Sequence, residues 1–122
     1  MANDSIRIKR SFFFLPAAWA GPAAWQPPAD IYRTRSGWLV KFDLAGVRAE
    51  DVRLAFTGNR LTVRGVRHDC CLEEGCCHYQ MEISYSHFER TVTLPVALNQ
   101  ATLTVENRDG MLLVHVKPEA GR

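Results

Sequence analysis

Trp38-Leu39-Val40-Lys41-Phe42-Asp43-Leu44-Ala45-Gly46-Val47 is the stretch on which the fold turns. Trp38, Val40, Phe42 and Leu44 recur at every second position, with Lys41 and Asp43 between them. Successive side chains of an extended chain point to opposite faces, so this is the pattern of a strand buried on one side and wet on the other. Ala45-Gly46 then supplies a turn.

The same period continues outward. Val52, Leu54 and Phe56 alternate with Arg53 and Ala55, and Leu61 and Val63 with Thr62 and Arg64. Phe88, Val92 and Leu94 alternate with Glu89, Thr91 and Thr93, with Arg90 interrupting the apolar set. Ala101, Leu103 and Val105 alternate with Thr102 and Thr104; Leu112, Val114 and Val116 with Leu113 and His115. Thr57-Gly58-Asn59 and Asn107-Arg108-Asp109-Gly110 are turn signals, and Pro95 ends a strand because it offers no ladder donor. Many short strands without a helical period predict an all-β sandwich or barrel. One-sided alternation favours antiparallel pairing. The long connection over residues 67–87 is expected to hold a short strand at 78–85.

The 122 residues suffice for one domain. Hydrophobic residues make up 47% and charged residues 23%, which suits a packed core. A net charge of +2, with arginines spread along the strands, gives no concentrated basic face and no case for nucleic acid. No apolar run is long enough to span a bilayer as a helix.

Composition changes near Asp30. Residues 1–29 hold Pro16, Pro22, Pro27 and Pro28 together with Phe12, Phe13, Phe14, Leu15, Trp19 and Trp25. They are read as a flexible arm, followed by a domain at 30–117 and a short tail at 118–122. A secretory leader is the other reading of the start: Arg7, Lys9 and Arg10 precede Ser11–Ala20, and Ala18-Trp19-Ala20 has the form of a cleavage site. Against it, the apolar stretch is short, is broken by Pro16 and carries Trp19 just before the cut. The expected location is cytoplasmic, and both readings stand at this point.

Five segments in order resemble a known family. They are Pro28-Ala29-Asp30-Ile31-Tyr32; Phe42-Asp43-Leu44-Ala45-Gly46-Val47 followed by Glu50-Asp51-Val52; Leu61-Thr62-Val63-Arg64-Gly65; Phe88-Glu89-Arg90-Thr91-Val92-Thr93-Leu94-Pro95; and Gly110-Met111-Leu112-Leu113-Val114. Together they resemble the α-crystallin domain of bacterial small heat-shock proteins. The resemblance implies an immunoglobulin-like antiparallel β-sandwich. It implies an ATP-independent holdase whose partners are unfolding client proteins, and no enzyme. It also implies a homodimer in which the 67–87 loop lends its strand to the partner's sheet. Ile31, Tyr32, Arg33, Tyr79, Met81, Ile83, Tyr85 and Arg90 would form that interface.

Three departures stand out. The tail Pro118-Glu119-Ala120-Gly121-Arg122 lacks the family's Ile-x-Ile plug, so small assemblies are expected. The groove that the plug fills is expected to stand open, lined by Val52, Leu54, Phe56, Leu112, Val114 and Val116. Tyr85-Ser86-His87 replaces the usual Tyr-Gly before the Phe-x-Arg strand, and Cys-Cys-Leu-Glu-Glu-Gly-Cys-Cys replaces the usual charged loop.

No nucleophile elbow and no phosphate-cradling Gly-rich loop is present, so neither catalysis nor a cofactor is expected. His68, Cys70, Cys71, Cys76, Cys77 and His78 cluster in one loop. They are soft ligands suited to zinc, yet adjacent pairs are not the C-x-x-C spacing that marks such a site. Metal binding, a redox disulfide and no specific role all stay open, and the fold is expected to form without metal. Clients are assigned to Phe12, Phe13, Phe14, Leu15, Trp19 and Trp25, the densest apolar cluster outside the strands. A β-sandwich adaptor with one specific partner is the alternative, and it gives no reason for Phe-Phe-Phe-Leu.

Overall fold

The structure is a computed structural model, which describes residues 4–9, 25–69 and 73–119, with residues 4–9 described as backbone only. The described residues form eight strands: β1 (Asp4–Lys9), β2 (Ala29–Arg33), β3 (Trp38–Asp43), β4 (Val52–Thr57), β5 (Arg60–Arg67), β6 (Ser86–Thr93), β7 (Ala101–Arg108) and β8 (Met111–Pro118). Two sheets result. One has the order β1-β7-β8-β3-β2 and the other β4-β5-β6. Every strand pair is antiparallel. The sandwich expected from the period-two pattern is the one observed.

The alternation explains the packing. Val40, Phe42, Leu54, Leu61, Val63, Phe88, Val92, Leu103, Val105, Val114 and Val116 are all buried, and all sit on the facing sides of the two sheets. Each large apolar side chain taken from water contributes roughly 1.5–3 kcal/mol. Among the described residues no polar or charged residue is buried, so the core holds no unpaired charge. The outer face of the smaller sheet carries cross-strand polar pairs instead. Thr62 and Thr91 hydroxyls lie 2.7 Å apart, and Arg64 donates to Glu89 from the opposite strand. Asp109 (φ 52°) and Gly110 (φ 82°) form the two-residue turn between β7 and β8. Both need the left-handed region, which Asp tolerates and Gly adopts freely.

Four expectations change. The stretch read as an irregular arm contains β1, which covers the outer edge of β7 with Ile6 opposite Val105 and Ile8 opposite Leu103. The order Ser5-Ile6-Arg7-Ile8-Lys9 does alternate, but prolines and aromatics downstream mask it. The arm also ends earlier than residue 29, because Pro27 is buried and Trp25 bridges to Phe88. Residues 78–85 contain no strand. A strand needs a neighbouring ladder, and no sheet edge of its own chain takes this segment.

The open groove is the fourth correction. β8 lies between β7 and β3, with a ladder on each side. Leu54, Leu112, Val114 and Val116 are core residues, while Val52 and Phe56 are half-buried against that core. Alternation told which face of each strand is apolar, but it could not tell which strands are neighbours.

Candidate functional site

The large hydrophobic side chains left exposed among the described residues lie in two places. Ile31 and Tyr32 lie on β2, 41% and 42% exposed, and Tyr79, Met81 and Ile83 lie on the 68–85 loop, 101%, 50% and 62% exposed. These five are the exposed large hydrophobics among the described residues, and all belong to the expected dimer interface. β2 is the outermost strand of its sheet, so one side of its backbone has no ladder. Tyr79, Met81 and Ile83 recur at every second position, as they would on one face of a strand. A bare edge and a strand-patterned segment without a ladder are thus presented by one chain.

The other expected interface residues are placed differently. Arg33 is exposed, with its guanidinium 5.7 Å from the centroid of Trp38. Tyr85 is half-buried near Arg67. Arg90 is half-buried and donates to the carbonyl of Pro27 at 3.1 Å, so it holds the segment that leads into β2.

Of the residues assigned to clients, Phe12, Phe13, Phe14, Leu15 and Trp19 lie outside the described residues. Trp25 is docked. Its ring is 5.2 Å from that of Phe88, its Nε1 donates to the carbonyl of Ser86 at 3.3 Å, and its carbonyl accepts from the Glu89 amide at 3.2 Å. Trp25 therefore anchors the arm and is not a free contact. An aromatic in a Pro/Ala-rich stretch without period carries no sign in the sequence of which ring it will meet.

Cys70 and Cys71 lie outside the described residues, whereas Cys76 and Cys77 are exposed free thiols. His68 pairs with Asp51 at 3.7 Å and His78 with Asp69 at 3.7 Å. Among the described residues, no three metal-ligating side chains converge.

One charged group on the larger sheet was not foreseen. Glu106 on β7 faces Arg108 on its own strand and His115 on β8 at 3.2 Å, and its side chain is 12% exposed. The hydrogen bond from His115, aided by Arg108, holds the Glu106 carboxyl below the usual carboxylate range. On the same sheet, a hydrogen bond with Tyr32 pushes the Lys41 ammonium up.

A family model described as the Hsp20/alpha crystallin family matches residues 30–122. The chain belongs to this family. It is a family of heat-shock chaperones and not of enzymes. The chain is 32% identical to spore protein SP21 of Stigmatella aurantiaca over 92 residues, which are 75% of this chain and 54% of that protein. It is 26% identical to small heat shock protein C2 of Rickettsia felis over 97 residues, 79% of this chain and 63% of that one. The Hsp20 family chain thus spans between half and two thirds of these relatives. Among solved structures it is similar to HSP18.5 from E. histolytica, with a TM-score of 0.67 and 24% identity over 81% of this chain and 93% of that one. It is equally similar to hspA from Xanthomonas axonopodis, at 0.66 and 24% over 80% and 97%. At such identities the likeness establishes the α-crystallin β-sandwich. Among the described residues, no helix is long and apolar enough to cross a membrane.

Proposed function

We propose that this chain is an ATP-independent holdase that binds unfolding proteins through its aromatic arm and works as a homodimer in the cytoplasm. The docked Trp25 carries the reading. It seats the end of the aromatic segment on the sandwich, and Phe12, Phe13, Phe14, Leu15 and Trp19 precede it in the sequence. Such binding needs apolar area and adaptability, and no built pocket. Each large side chain that a client covers contributes about 1.5–3 kcal/mol before ordering costs.

The dimer reading is supported by the bare β2 edge and the apolar loop. Joining them between two copies satisfies backbone groups and covers Ile31, Tyr32, Met81 and Ile83 together. The cytoplasmic assignment is supported by cysteines confined to one loop, unlike the framework of a secreted domain.

Light scattering from two unrelated heat-denatured clients, without nucleotide, tests the function. A holdase suppresses both at near-stoichiometric ratios. Suppression of one client alone identifies the adaptor, and suppression of neither refutes the chaperone reading.

A further inference from the structure

Arg67 ends β5, and its guanidinium meets three segments far apart in sequence. Nε donates to the carbonyl of Ser84 at 2.9 Å, and Nη1 donates to the carbonyl of Ala45 at 3.0 Å. The same group lies 4.4 Å from the ring centroid of Trp25 and 5.7 Å from that of Tyr85. Ala45 belongs to the turn after β3, Ser84 and Tyr85 end the 68–85 loop, and Trp25 is the root of the arm. Two nitrogens of the planar guanidinium, Nε and Nη1, donate in different directions while its face stacks on an indole. A lysine, a single point charge, cannot reproduce that combination.

Ser86, the next residue beyond the gripped stretch, has φ 77°. A non-glycine residue keeps a left-handed backbone where its surroundings hold it there. Two contacts hold Ser86: Trp25 Nε1 donates to its carbonyl, and Arg67 Nε donates to the carbonyl of Ser84 two residues earlier. The joint between the loop and β6 is thus clamped from both sides, by a residue of the arm and by one of the sandwich.

We propose that Arg67 is a positioning residue that couples the seating of Trp25 to the order of residues 73–85, the described part of the loop that runs into β6. The inference rests on the reading that the arm meets clients and the loop meets the partner. When Trp25 leaves, Arg67 loses its stacking face and Ser86 loses a hydrogen bond, so the loop is released. Coupling is reciprocal, so a loop that departs loosens the arm.

Cleavage after Glu82 by a glutamate-specific protease, in the folded full chain without client, reports loop release. Trp25→Ala and Arg67→Lys are each expected to speed it about tenfold, within the usual range of coupled sites. The double variant is expected to be no faster than either single one, because both act on one clamp. Trp25→Phe keeps a smaller ring for Arg67 and loses the indole donor, so it is expected to give a smaller rise, and it carries the test if Trp25→Ala does not fold. Ser86→Gly, which relieves the backbone, is expected to make cleavage less dependent on Trp25. Unchanged cleavage in Trp25→Ala, or in Trp25→Phe if that variant must stand in, overturns the proposal, as do single effects that multiply in the double variant. Since no client is present, loss of aggregation suppression would refute the function and leave this coupling standing.

Discussion

The rings of Trp25 and Phe88 lie 5.2 Å apart and are tilted by 53°. Tilted aromatic pairs at this separation gain about 0.5–1.5 kcal/mol beyond the area they bury. Phe88 is fully buried on β6, while Trp25 is half-buried above it. Phe88→Ala is expected to cost about 4 kcal/mol of stability, as large aromatic deletions do in cores. Trp25→Ala is expected to cost about 2 kcal/mol, reflecting its partial exposure. Urea unfolding followed by circular dichroism measures both, and equal losses would contradict the assigned depths.

Gly65 on β5 sits where a side chain has no room. A Cβ there would meet the Asp51 carbonyl at 2.2 Å and the Phe88 ring at 2.6 Å. Gly65→Ala is expected to destabilise by about 1–3 kcal/mol, in line with overpacked cores. The same urea titration reads it, and a variant as stable as the wild type would mean that Asp51 and Phe88 do not sit as described.

Much of this architecture is legible in the sequence, because burial on one face writes itself as period two. Val40, Phe42, Leu61, Val63, Val114 and Val116 were all placed in the core by that rule, and all are buried. What failed concerns relations between distant segments. Nothing local says that β8 lies between β7 and β3 with a ladder on each side, which is a relation among distant strands. Residues 79–83 alternate like a strand, yet they pair with no edge of their own chain, and alternation cannot tell whether a strand-patterned segment finds a ladder. Arg67 reads as one more polar residue at a strand end. Ser84, Ala45 and Trp25, which it meets, lie 17, 22 and 42 residues away (67 − 25 for the last), and only the fold brings them together.

The interface reading leads to a test on two faces. Ile83→Asp on the loop and Ile31→Asp on β2 place a charge where an apolar contact between copies is proposed. Both positions are exposed in one chain, so each variant is expected to fold with a thermal midpoint close to that of the wild type. Each is expected to shift the dimer to monomer by at least about tenfold in dissociation constant, the usual consequence of burying an unpaired charge. Light scattering coupled to gel filtration measures this. A dimer unaffected by either change would contradict the interface.

Glu106 sets a pH dependence. Its folded carboxyl is depressed by His115 and Arg108, so its stabilising contribution is full above the unfolded carboxylate range, near pH 4.3, and is lost as pH falls through the lower folded value. The wild type is therefore expected to exceed Glu106→Gln in thermal midpoint at pH 7. The gap should narrow steadily below about pH 4. A gap that does not change between pH 7 and pH 3 would show that the carboxylate contributes nothing through its charge.

The central claim is that clients are held by aromatic side chains upstream of the Trp25 anchor. Phe12→Ser, Phe13→Ser and Phe14→Ser combined in the full chain leave Trp25, the strands and the loop intact. The decisive measurement is aggregation of a heat-denatured client, without nucleotide, at equal concentrations of wild type and triple variant. The variant is expected to keep its fold and its dimer but to lose most of its protection. A triple variant that protects clients as well as the wild type would contradict the claim.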